Sequence, residues 1–199
     1  MIKRLITVIA LIALTMTGCK SSHKIETASI IENVSVHRQD GRLTYTFYIL
    51  TDSDSPEAVA IPADSFEEAT KLAQQKYIPD MSLNKLELLL IDKDVCGDIM
   101  QSDIEYISTQ ASFSPIAYVA VCDGETIKLM NKKTSVQESI ESLIILCKKN
   151  NSGVKTDYLS VLNSYAGKKD SRFKVPFVSA KNELRVSTFE ISQKSKIKQ

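Results

Sequence analysis

The sequence predicts an α/β fold, a mixed sheet with packed helices, followed by a short partial α+β second domain. Three observations carry this. Two nearly unbroken apolar runs, Leu86–Ile91 and Ile116–Cys122, are short enough for strands buried on both faces. Between them, residues 94–110 place Val95, Ile99, Ile104 and Ile107 at helical intervals. Ahead of them, two β-branched and aromatic runs flank the turn Asp40-Gly41.

The elements follow in order. Residues 25–37 and 43–50 form the arms of a hairpin closed by Asp40-Gly41. Residues 51–62 are polar, contain Pro56 and Pro62, and read as a loop. Asp64 or Ser65 caps a helix; with Asp64 at the cap, Glu67 takes the capping-box position. Phe66, Ala69, Leu72 and Ala73 then share one helical face, and Pro79 ends the helix. The first buried strand, the helix over 94–110 and a break at Pro115 come next. The second buried strand closes at Asp123-Gly124, and a short helix covers 125–130. A strand–helix–strand order favours parallel pairing of the two interior strands, and the hairpin adds antiparallel neighbours.

Beyond Lys133 the character changes. Residues 135–150 form an amphipathic helix with Val136, Ile140, Leu143, Ile144 and Cys147 on its apolar side. Residues 157–165 form another, with Gly167 as its stop. Pro176-Phe177-Val178 leads into the alternating strand 183–191, and the tail 192–199 is basic. The expected organisation is a leader at 1–18, a spacer at 19–24, a mixed-sheet domain at 25–133, and a helical segment opening a truncated second domain at 134–199.

The N-terminus speaks to location. Lys3-Arg4, an apolar run at 5–15 and small residues before Cys19 are the three parts of an export signal. The run is too short for a stable membrane span. Thr17-Gly18-Cys19 resembles a bacterial lipobox, so Cys19 is the expected lipidation site, on the outer face of the cell membrane. Loss of Lys3 and Arg4 from 25 basic side chains leaves 23 against 24 acidic ones. A near-neutral chain argues against nucleic acid as partner and leaves the lipid to hold the membrane.

Chemistry is sparse. Tryptophan is absent and the two histidines are His23 and His37. His37 reads as an exposed strand residue, and no G-x-S-x-G, H-E-x-x-H or P-loop pattern occurs. Cys96, Cys122 and Cys147 have apolar neighbours and no CxxC spacing, so they read as buried thiols. Residues 51–57 hold Asp52, Asp54 and Glu57 but lack the glycine turn of a calcium loop, and read as solvated. Asp92, Asp94 and Asp98 read as helix-start acids. No catalytic residue, metal ligand or cofactor site is expected.

The order of these signals resembles the Ger(x)C family of spore-germination lipoproteins, the lipid-anchored subunits of nutrient-germinant receptors. The stretches that carry the likeness are Cys19 followed by the strands of 25–50, the helix Ser65–Leu72, the strand Leu83–Asp92, the block Ile104 to Gly124, and residues 157–176. Asn84 stands where relatives often carry His, Cys19-Lys20-Ser21 replaces a common Cys-Trp-Asp, and relatives are longer toward the C-terminus. The resemblance implies a non-enzymatic subunit or accessory that works by protein–protein contact with integral-membrane receptor subunits, in the spore inner membrane. The competing expectation is a stand-alone ligand-binding envelope lipoprotein.

Overall fold

The computed structural model describes residues 28–110, 113–166 and 172–192. The leader, Cys19, His23 and the basic tail from 193 lie outside the described residues. Among the described residues, eight strands form one mixed sheet: β1 (Ser29–Gln39), β2 (Arg42–Ile49), β3 (Glu57–Pro62), β4 (Met81–Ser82), β5 (Leu88–Asp92), β6 (Tyr118–Cys122), β7 (Arg172–Ser179) and β8 (Arg185–Ser192). Five helices accompany it there: α1 (Phe66–Lys76), α2 (Cys96–Ser108), α3 (Gly124–Met130), α4 (Ser135–Asn150) and α5 (Tyr158–Ala166).

The strand order is β3-β2-β1-β5-β6-β7-β8, with β4 beside the start of β1. β1, β5, β6 and β7 run parallel, and each edge is finished by antiparallel strands. The parallel pairing of the two interior strands and the mixed sheet are as the sequence predicts. Asp40 and Gly41 both have positive φ, 50° and 78°, and so close the β1–β2 hairpin with a twist that suits its arms.

Alternation along the strands sorts side chains into two cores. Val34, Val36, Tyr45, Phe47, Leu89, Ile91, Val119 and Val121 point to the layer of α1, α2 and α5. Leu88, Leu90, Ala120, Cys122 and Tyr48 point to the layer of α3 and α4. The expected boundary at 133/134 falls between α3 and α4, and both sides of it contribute strands to this one sheet.

Two strands depart from the expectation. Residues 57–62, read as loop, are the edge strand β3; Val59 and Ile61 alternate inward and β2 pairs with all six residues. Flanking prolines concealed it, yet Pro62 is tolerated because an edge strand has a free side. Pro176-Phe177-Val178, read as a lead-in, belong to β7, an eight-residue strand over 172–179. β6 pairs only with Phe177 and Val178, so the missing amide of Pro176 falls ahead of that ladder.

The caps are also refined. Ser65 caps α1 by accepting from the Glu68 amide at 3.2 Å, and Glu68 reaches back to the Asp64 amide at 2.9 Å. The reciprocal carboxylate is therefore Glu68 and not Glu67. Asp92 is no helix-start acid: it is the last residue of β5, buried, and its Oδ1 accepts from the Asp94 amide at 3.0 Å. Val95 stands at the N-cap of α2 and makes no side-chain cap bond.

Candidate functional site

In sheets with parallel strands, concave sites form outside the strands' carboxyl ends. Here those ends bring together His37 of β1, Asp92 of β5, Cys122 of β6 with Asp123 after it, and Ser179 of β7. Most of their polar atoms are already engaged. Asp123 Oδ1 accepts from the amide and hydroxyl of Thr126, at 2.9 and 2.7 Å, and so caps α3. Its Oδ2 accepts from the Ser179 hydroxyl at 2.5 Å. These bonds hold the carboxyl below its ordinary value despite the opposing effect of burial, the largest single influence. Gly124 lies so close to Asp92 that an added Cβ would sit 3.4 Å from Asp92 Oδ2.

His37 is half-buried, not exposed as its sequence setting suggests. Burial lowers its pKa, against the smaller opposing influence of Asp92. Its Nδ1 is closed off from solvent without a hydrogen-bond partner. The Cys122 thiol is pushed well up by burial, then by Asp92 and Asp123, so it is held as an unreactive thiol. Cys96 and Cys147 are likewise buried, as read from their apolar neighbours, and form no disulfide among the described residues. The cluster fixes the ends of three strands and offers no activated nucleophile.

An open groove adjoins His37. It encloses about 450 Å³ and is lined by Gln39, Asp40, Arg42, Thr44, Ala60 and Pro62. Register explains it: Thr44 pairs with Pro62 and Thr46 with Ala60, all on the α3/α4 side of the sheet. α4 packs over β6, β7 and β8, while Arg42, Ala60 and Pro62 stay exposed at the hairpin end. Small Ala60 makes the floor concave, and Arg42 supplies a cation at its rim. An enclosed cavity near Asp103 holds only about 10 Å³, room for about one water.

Behind the groove lies a buried polar layer that the sequence did not announce. Asn33 Nδ2 donates to Gln137 Oε1 of α4 at 2.6 Å. The Tyr48 hydroxyl meets Ser35 Oγ at 3.1 Å and donates to Asn131 Oδ1 at 2.5 Å. Asn33, Ser35 and His37 fall two apart in β1 on the face opposite Val34 and Val36; that alternation is the signal that could have found them.

Residues 52–55 form exposed bends, and among the described residues no group of three or more His, Cys, Asp or Glu is placed to hold a metal ion. Ser53 and Asp54 instead accept from the Thr134 hydroxyl and amide, seating the loop on the start of α4. No described helix is long and apolar enough to cross a membrane.

The family model described as "Spore germination protein N-terminal domain" matches residues 21–180. That span covers most of the chain, which therefore belongs to this family, and the Ger(x)C resemblance stands. No curated protein and no solved structure matches.

Proposed function

We propose, from the premise of that family membership, that the chain is a lipid-anchored, non-enzymatic subunit or accessory of a spore nutrient-germinant receptor. The family match carries the reading. Three features support its details. The lipobox-like Thr17-Gly18-Cys19 supplies a tether at the outer face of the membrane. Asp123 and Ser179 at the strand ends are spent on a helix cap and a strand tie. The open polar groove over β1–β3 has the breadth of a docking surface and lacks the enclosure of a small-molecule pocket. Its partners would be the integral-membrane subunits of the same receptor.

Two experiments test the proposal. Deleting the gene should abolish or slow germination toward at least one nutrient, and unchanged germination to every nutrient would remove the receptor role. Cys19→Ala should abolish fatty-acid labelling and release the protein from the membrane. Unchanged labelling would overturn the lipid anchor.

A further inference from the structure

Four large apolar side chains stand exposed at one end of the molecule: Leu50 at 45%, Tyr77 at 61%, Ile116 at 77% and Leu159 at 49%. The backbone gathers them there. The Leu50 amide donates to Ile30 O at 2.8 Å, beside the start of β1. Tyr77 ends α1, and the chain runs on into β4, where Met81 pairs with Ser29. Ile116 immediately precedes β6, whose first residues pair with the start of β5. The Leu159 amide donates to Pro115 O at 3.3 Å. All four rim the amino ends of the parallel strands, the end at which the described chain begins.

Exposed apolar residues scattered singly need no explanation, whereas several on one end mark an interaction surface. The chain's own anchor selects the occupant. Nine residues carry the chain from Cys19 to Ala28 and span at most ~30 Å. This end therefore stays near the lipid, while the carboxyl end of β1 lies a further ~35 Å away at ~3.3 Å per residue. Charge selects the side. Glu87, Glu32 and Glu138 lie close enough to Glu141 of α4 to act on it, on the α4 side of this end. Tyr77 caps the end of α1 and Leu159 belongs to α5, in the opposite layer, and exposed Lys76 stands next to Tyr77. Tyrosine with aliphatic neighbours suits the headgroup boundary, where one part of each ring is wet.

We propose that this rim, Tyr77, Ile116 and Leu159 with Leu50, rests on the bilayer surface and holds the groove over β1–β3 outward. The proposal rests on the anchoring of Cys19. Its test uses the full lipidated chain in phosphatidylcholine vesicles carrying a nitroxide-labelled lipid quencher. Ile116→Cys and, at the far end, Arg185→Cys are each labelled with an environment-sensitive fluorophore; the native thiols at 96, 122 and 147 are buried. The label at 116 should be quenched several-fold more than that at 185. Combining Tyr77→Glu with Leu159→Glu should abolish that difference while the protein still floats with the vesicles. Equal quenching of both labels on a floating, fatty-acylated chain overturns the docking alone. A label at 116 that is unquenched in vesicles yet shielded in native membranes also overturns it, in favour of a protein occupant. A chain that carries no fatty acid and does not float overturns the anchor, and the docking with it.

Discussion

The hydroxyl of Tyr45 on β2 donates to Asp103 Oδ2 on α2 at 2.6 Å, and Asp103 Oδ1 accepts from the Phe66 amide at 3.1 Å. One carboxyl thus joins the sheet, the first turn of α1 and the middle of α2. Burial pushes the Asp103 carboxyl up and Tyr45 far above its ordinary range, so both groups keep their protons more firmly than in water. Asp103→Ala strands a buried hydroxyl and a buried amide together. It should lower stability by about 2–4 kcal/mol, seen as a lower urea midpoint with an unchanged slope. Tyr45→Phe, which leaves the Phe66 bond in place, should lower it less.

Glu141 on α4 gives the fold a pH dependence of definite sign. Burial raises its carboxyl from an ordinary value of 4.5 to about 7, with Glu87, Glu32 and Glu138 adding in that order. These acids come from β1, from the residue before β5, and from α4 itself. The folded chain therefore binds more protons than the unfolded chain between those two values. Stability from this site is greatest below about 4.5, falls as the pH rises, and is fully lost above about 7. Glu141→Gln should flatten that fall and raise the melting temperature at pH 8 while leaving it nearly unchanged at pH 4. A variant melting in parallel with the wild type across that range would contradict the clustering of the four acids.

Much of this frame is legible in the sequence, and the places where it is not share a cause. Leu86–Ile91 and Ile116–Cys122 announce buried parallel strands because both of their faces are apolar. α4 is readable to its ends because Val136, Ile140 and Ile144 repeat at helical spacing. β3 and β7 are hidden because each carries a proline whose permission to be there comes from its neighbours in the sheet. The groove is hidden for a related reason: Gln39, Arg42, Thr44 and Ala60 are adjacent only through strand pairing. The acids that raise Glu141 come from three parts of the chain and meet only when α4 crosses to β1.

The thiols should report folding. Cys96, Cys122 and Cys147 are buried and form no disulfide among the described residues, and burial pushes Cys96 up to about 12. A thiol reagent at pH 8 should leave all three unmodified in the folded protein and reach them together in denaturant. Cys147, whose Sγ lies 3.5 Å from Ser187 O at the β8 edge, should be the first to react if the edge opens alone. Rapid labelling of Cys122 under native conditions would contradict the packing of β6 against α3.

Tyr48 is the remaining joint between the outer strands and the helices. Its ring belongs to the α3/α4 core, and its hydroxyl bridges Ser35 on β1 and Asn131 after α3. Burial raises it to about 12, which keeps it a donor throughout the physiological range. Tyr48→Phe retains the ring packing and removes only the bridge. Loss of a buried bond with two partners should lower stability by about 1–2 kcal/mol. The same change should speed amide exchange in β1 and β2 more than in β5 and β6, because the inner strands keep their apolar cover on both faces. Uniform exchange across all four strands would mean that the bridge adds stability without fixing the seat of the hairpin, and the groove it backs would then owe its shape to strand register alone.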